Sequence, residues 1–314
     1  MRRVTQHTKA VIFSVILPVF NAAHTLRAAV ASILGQTHRD LELIAVDDGS
    51  TDGSAAVLDA LAADDPRVRI VRRPNTGIVG ALNDGLAVAT GEFIARMDAD
   101  DIAYPRRIEL QLAHLRAHPA CVALGSAVDL LDASGACVEH LSRPLGHAEN
   151  EAALLRGDGG TIIHPAACFR RAAIEAVGRY RPAAQYVEDL DLYLRLARFG
   201  SIENMPKTLL GYRVHFSSVN FTKNAGRRAT KVGVLAEAHR ERGLPFDPDC
   251  VPAFSTWSDP LAHHRRWSVT ALRLSGRSVA LKHAWSACRL APASRESWRC
   301  LRYALTAPAG RNVA

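Results

Sequence analysis

The sequence predicts an α/β protein, a doubly wound and mostly parallel sheet followed by a basic helical extension. Three observations point there. Over about the first hundred residues, short apolar runs alternate with segments whose apolar residues recur at helical spacing. The ends of three of these runs carry polar clusters, two of them rich in aspartate. Beyond residue 219 the alternation stops, and arginines and tryptophans accumulate.

Residues 12–19 form an apolar run containing Pro18 and followed by Asn21, the pattern of a buried central strand. Leu26, Val30, Ile33 and Leu34 then mark a helix that Asn21 can cap. Residues 41–46 read as a second strand, ending in Asp47-Asp48-Gly49-Ser50-Thr51-Asp52-Gly53, and Val57, Leu58 and Leu61 mark a second helix. A third strand spans residues 68–71. After the turn Asn75-Thr76-Gly77, Leu82, Leu86 and Ala89 give a third helical face. A fourth strand, residues 93–97, runs into Asp98-Ala99-Asp100-Asp101. Right-handed crossovers put the C-terminal ends of parallel strands on one edge, and ligands bind in the crevice there. Residues 18–21, Asp47-Asp48 and residues 98–101 therefore converge on one site.

Three carboxylates within four residues repel one another unless a positive charge sits among them. Their hard oxygens suit Mg²⁺ or Mn²⁺; the plainer reading is an acidic turn capping the next helix. No G-x-G-x-x-G follows the first strand, which argues against a dinucleotide oxidoreductase, and no P-loop motif is present. A nucleotidyltransferase is a rival reading, but residues 17–23 lack the basic, glycine-rich phosphate loop it would need. A non-catalytic sugar-nucleotide-binding protein is the other.

Ser14-Val15-Ile16-Leu17-Pro18-Val19-Phe20-Asn21, Val46-Asp47-Asp48-Gly49-Ser50-Thr51-Asp52 and Ala95-Arg96-Met97-Asp98-Ala99-Asp100-Asp101 together resemble the inverting family 2 glycosyltransferases of GT-A fold. The resemblance continues through Ile163-His164-Pro165, Val187-Glu188-Asp189-Leu190-Asp191 and Gly211-Tyr212-Arg213-Val214-His215, and covers roughly residues 11–218. It implies that Pro18, Val19, Phe20 and Asn21 pack against the nucleotide base. Asp48, ahead of Asp47, would accept from a base N–H. A carboxylate only accepts, which favours uracil or thymine, hence a UDP- or dTDP-sugar. Asn75 would lie in the same nucleotide site. Asp100 would bind the metal bridging the diphosphate. Asp98 would hold the ribose or the metal's water, and His215 is a candidate third metal ligand. Asp189, ahead of Glu188, corresponds to the general base that takes the acceptor proton; His164 is a weaker candidate for substrate contact. One departure stands out. Many relatives carry a basic residue on the helix after Asn75-Thr76-Gly77, and residues 78–82 have none; Arg96 or Arg213 could supply that charge instead.

The acceptor side follows. Residues 122–131 and 136–141 flank Asp132-Ala133-Ser134-Gly135 as a hairpin, residues 148–155 read as a helix, and residues 166–169 as a strand before a helix ending at Gly178. Glu188 opens a helix. Its acids also suit a first helical turn without any function. Asp101 is expected to cap the helix carrying Ile108, Leu112 and Leu115.

The organisation expected is therefore an N-terminal tail (1–10), a catalytic domain (11–218) with a nucleotide half (11–105) and an acceptor half (106–218), and an extension (219–314). The chain is 48% hydrophobic and 22% charged, composition for a sizeable core. Six scattered cysteines with no Cys-x-x-Cys pair fit a reducing cytosol, and neither a signal peptide nor a membrane-spanning run is expected. Residues 261–314 hold ten Lys/Arg and one acid, so the formal charge of +8 belongs to the tail and the body is near neutral. Trp257, Trp267, Trp285 and Trp298 lie there too. That composition fits either a helical bundle packed on the body or a surface for anionic lipid on the inner face of the plasma membrane. Nucleic acid is not the expected partner. The acceptor implied is a saccharide or lipid-linked hydroxyl.

Overall fold

The computed structural model of the chain describes residues 13–216, 227–251 and 259–308. β1 (Phe13–Val19), β2 (Leu41–Asp47), β3 (Val68–Arg72) and β4 (Phe93–Arg96) pair in parallel in the order β3-β2-β1-β4. Val19 lies opposite Asp47 and Ile16 opposite Arg96, so the polar segments that follow these strands share one edge. The crossovers are α1 (Leu26–Leu34), α2 (Ser54–Asp64) and α3 (Ile78–Val88). Side chains alternate across a strand, so β1 serves both faces. Val15 and Leu17 pack with Leu26, Val30 and Leu58 on one side, and Ile16 packs with Val46, Leu82 and Leu86 on the other.

Beyond β4 the sheet becomes mixed. β5 (Ile102–Ala103) leads to α4 (Arg107–Ala117), β6 (Cys121–Leu131), β7 (Cys137–Leu141), α5 (His147–Leu155), β8 (Cys168–Arg170), α6 (Arg171–Ala176), α7 (Glu188–Leu196) and β9 (Ser201–Arg213). β8 runs antiparallel to both β4 and β6, β9 runs parallel to β6, and β7 pairs with β6 as the expected hairpin. The described residues thus form one nine-stranded sheet.

Two capping expectations fail. Thr25, not Asn21, precedes α1, while Asn21 adopts φ 52° and its side chain accepts the Thr51 N–H at 2.8 Å. Asp101 does not cap α4, which starts six residues later; it is fully buried and accepts the Arg213 N–H at 2.8 Å. In both cases a partner distant in sequence outcompetes the local cap.

The extension divides between the two faces. α8 (Arg227–Arg240) adds Val234, Leu235 and Ala238 to the core that holds α3 and α7. α9 (Pro260–Leu274), α10 (Arg277–Leu290) and α11 (Arg295–Thr306) join the opposite core, where Trp267 is 1% exposed. Burying an indole of roughly 200 Å² is worth on the order of 5 kcal/mol before entropy. Polar contacts tie the same helices to the hairpin: Asp132 Oδ2 accepts from Lys282 Nζ at 2.5 Å and lies 3.0 Å from His283 Nε2. Trp285 and Trp298 remain exposed, and Trp257 lies outside the described residues.

Candidate active site

The nucleotide-side edge is laced by its own loops. Asn21 N–H donates to Ser50 Oγ at 3.1 Å, and Ala23 N–H donates to Asp52 at 3.1 Å. Phe20 stands 51% exposed beside them, free to pack against a flat ring. Asp47 accepts the Ser50 N–H at 3.0 Å. Gly49 has φ 73°, and a Cβ there would lie 2.8 Å from the Asn75 nitrogen, so only glycine lets the Asp47-Asp48 turn approach Asn75.

Asp48 is buried, and its two oxygens accept the Thr76 and Gly77 N–H groups at 3.2 and 2.9 Å. Arg73 Nε forms an ion pair with it at 3.1 Å. Asp48 therefore clamps the 73–77 loop. The Arg73 guanidinium occupies the space that a side chain on Gly80 would fill, 2.4 Å from the ideal Cβ position. A positive charge thus does sit over the start of α3, but it arrives from the end of β3. Arg73 is not among the residues the sequence singled out, although it follows a strand end on the edge where ligands were expected.

The second cluster follows β4. Carboxylate oxygens of Asp98, Asp100 and Asp101 lie within 4.8 Å of one another. Arg96, 6% exposed, grips Asp98 with both terminal nitrogens at 2.8 and 2.6 Å. Beneath it the buried Arg107 donates to the Arg96 carbonyl at 2.8 Å. Arg213 donates to the carbonyls of Asp100, Asp132 and Ala133, at 2.8, 3.2 and 3.3 Å. Arg96 and Arg213, the two expected sources of charge for a diphosphate, are both engaged within the protein. His215 Nε2 lies 3.4 Å from Asp100 Oδ2. Burial first, then the charges of Asp100 and Asp98, pushes the Asp101 carboxyl well up, and its Oδ2 is buried without a hydrogen bond. Burial also raises Asp98, partly offset by Arg96. Excess negative charge, converging hard oxygens and an unsatisfied buried oxygen fit a divalent cation of the Mg²⁺ or Mn²⁺ type.

The third group opens α7. Burial, then the charge of Asp189, raises the Glu188 carboxyl to about 7, and Glu188 Oε2 is buried without a partner. Burial raises Asp189 too, opposed by the Leu190 N–H at 2.7 Å and by the charges of Arg227 and Arg96. The third acid of the turn, Asp191, is fully paired by Arg181 and Arg195 and is structural. His164 is buried against the Tyr180 hydroxyl at 2.8 Å, and burial holds it well below its usual range, so it stays neutral. The two halves meet here. Asn83 bonds the backbone of Tyr180 through both its amide atoms, and the Gln185 amide nitrogen sits 2.8 Å from the ideal Cβ position of Gly77.

A carboxylate cluster at a parallel sheet edge, with a second, poorly neutralised carboxylate pair within reach of the same Arg96 charge, suits a transferase acting on a nucleotide-activated group. The family model "Glycosyl transferase family 2" matches residues 14–178, and the chain belongs to that family. Hyaluronan synthase of Pasteurella multocida is 24% identical over 235 residues, which span 75% of this chain and 24% of that protein. Staphylococcus aureus TarS 1–349, solved with UDP-GlcNAc, superposes with a TM-score of 0.60 at 14% identity, covering 93% of this chain and 79% of that one. The mannosyltransferase PcManGT from Pyrobaculum calidifontis, solved with GDP-Man and Mn²⁺, gives 0.55 at 20% identity, covering 95% and 80%. The fold is therefore GT-A, as the motifs implied.

Proposed function

We propose that this glycosyltransferase moves a sugar from a nucleoside-diphosphate sugar to a hydroxyl of a saccharide or lipid-linked acceptor, with inversion, in the synthesis of a cell-surface polysaccharide. The acceptor oxygen bonds to the anomeric carbon as the bond from that carbon to the diphosphate breaks; the diphosphate leaves with the electron pair. Asp189 takes the acceptor proton, and Glu188 beside it keeps the pair's affinity for protons high. Asp100, with Asp98 and His215, would hold Mg²⁺ or Mn²⁺. Such a cation supplies Lewis-acid neutralisation of the leaving diphosphate. Phe20 and its neighbours Pro18, Val19 and Asn21 would cover the base, with Asp48, ahead of Asp47, accepting from its N–H and Asn75 in the same site.

The observation that carries this reading is that Arg96, which grips Asp98, also acts by its charge on Glu188 and Asp189, so that the two carboxylate groups adjoin one cation. The relatives' ligands add weight: UDP-GlcNAc in one neighbour, GDP-Man with Mn²⁺ in the other. The test is thermal-shift screening against UDP-, dTDP- and GDP-sugars with Mn²⁺. Stabilisation by at least one of them that disappears with EDTA is expected; no response to any would sink the reading.

The tail belongs to the same proposal. Trp285 and Trp298 are 54% and 48% exposed, and Arg289, Arg295, Arg299 and Arg302 are exposed on the same two helices. No described helix is long and apolar enough to cross a membrane. Indole and guanidinium together suit the boundary of an anionic bilayer, which would place the enzyme on the cytoplasmic face, next to a lipid-linked acceptor.

A further inference from the structure

The segment Gly157-Asp158-Gly159-Gly160 packs against the base, and it is where unpaired positive charge collects. The ideal Cβ position of Gly159 lies 3.4 Å from Asp189 Oδ1, that of Gly157 3.1 Å from Lys231 Nζ, and that of Gly160 3.6 Å from Arg143 Nη2. Absence of side chains at these glycines lets the base and two cations approach one short stretch of backbone. Arg227, one turn before Lys231 on α8, adds a third cation, whose charge acts on both Asp189 and Lys231.

None of these three cations donates a hydrogen bond or makes an ion pair among the described residues, although each is partly buried and Arg143 Nε is fully so. That sets them apart from Arg96, Arg107, Arg195 and Arg213, each of which holds a protein partner. Burial lowers the proton affinity of both Arg143 and Lys231, and Asp158 is the one acid that offsets this at both. Desolvating a charge without pairing it is costly, so the arrangement calls for an anion from outside the protein. The need grows during the reaction: Asp189 loses its charge when it takes the acceptor proton.

We propose that Arg143, Lys231 and Arg227 form an anion-binding subsite beside Asp189, and that the acceptor hydroxyl belongs to a molecule carrying a phosphate or carboxylate group. Guanidinium forks and an ammonium suit either anion, and both hold it by charge-assisted hydrogen bonds. The subsite joins Arg143 of the acceptor half to Arg227 and Lys231 of the extension. The inference rests on the glycosyltransferase reading with Asp189 as base.

The test compares probes with and without an anionic group: glycerol 1-phosphate against glycerol, and methyl glucuronoside against methyl glucoside. Binding to the full chain is followed by NMR with UDP, dTDP or GDP and Mn²⁺ at saturation. The phosphate or the carboxylate member should bind at least tenfold tighter than its neutral counterpart, and the stronger of the two names the source of the anion. Lys231→Gln and Arg143→Gln should abolish the difference while Lys231→Arg keeps it, with nucleotide affinity and thermal stability unchanged. Equal binding of charged and neutral probes, with nucleotide still bound, would overturn the subsite and leave the transferase reading standing. Displacement of the anionic probe by the nucleotide would also overturn it, assigning these cations to the donor diphosphate. Failure of every nucleotide to bind would overturn the subsite and the reading beneath it together.

Discussion

The Asp98–Asp100–Asp101 cluster and the Glu188–Asp189 pair are built from the same chemistry, and each keeps one buried oxygen without a partner, but only the first is gripped by a cation. The first has a dedicated counter-ion: Arg96 grips Asp98 with two nitrogens, and His215 stands by Asp100. The second has no cation within hydrogen-bonding distance among the described residues, and Glu188 keeps a buried oxygen without a partner. Three convergent carboxylates that one guanidinium only partly neutralises are prepared to hold a metal. A carboxylate that is desolvated and beside another acid is prepared to hold a proton. The difference lies in what surrounds each pair, not in residue type.

The largest expected effect breaks the first cluster. Asp100→Ala, or EDTA on the native chain, should lower turnover by on the order of 10³-fold, as loss of several kcal/mol of charge stabilisation implies. Metal-dependent nucleotide affinity should go with it. Calorimetry that finds equal binding with EDTA and with Mn²⁺ would remove the metal from the account. Breaking the second cluster should act on chemistry alone. Asp189→Asn keeps the shape but cannot take the proton, so turnover should fall on the order of 10²-fold with donor binding nearly intact. Near wild-type turnover would move the role to Glu188, because Asp191 is already paired twice.

A smaller effect concerns the tail. Exchanging Arg295, Arg299 and Arg302 for Glu should reduce co-sedimentation with anionic vesicles at least tenfold, since each basic group near such a surface is worth about 1 kcal/mol. High salt should do the same to the native protein, and zwitterionic vesicles should not bind it. Native chain that stays in the supernatant with anionic vesicles at low salt would make these helices packing elements only. Removing the tail altogether is not a clean experiment, because Trp267 belongs to the core and Asp132 is held from α10.

The subtlest effect sharpens the comparison through pH. Glu188 has its folded pKa raised from 4.5 to about 7. Its neutral form is therefore favoured by folding, and the stability this contributes is complete below about pH 4.5 and lost as pH rises through about 7. Glu188→Gln should flatten that decline in a pH series of thermal midpoints. It should also move the rise of kcat/KM to lower pH, because it removes a neighbouring acid coupled to Asp189. A variant whose stability profile matches the native one would mean Glu188 is ionised in the folded protein.

Much of this was legible in the residues themselves. Strand–helix alternation follows from local periodicity, and parallel connection then brings strand ends to one edge, so Asp47, Asp48, Asp98 and Asp100 could be gathered from positions far apart in the chain. The placement of Glu188 and Asp189 at a helix start was equally readable. Misreadings arose where a distant group decided the outcome. Asn21 and Asp101 look like caps, yet the first serves Thr51 and the second accepts from Arg213, 112 residues away. Arg73 carries no local motif; only the parallel pairing of β2 with β3, which sets Arg72 opposite Asp47, puts its charge beside Asp48. The sequence by itself determined which elements form and which acids stand at their ends, because hydrophobic period and turn chemistry act over a few residues. The tertiary structure alone decided which of those acids receive a counter-ion, which cations are left without one beside Asp189, and how the basic tail divides between the two faces. Burial and pairing of charge depend on groups brought together from opposite ends of the chain, and no local pattern records them.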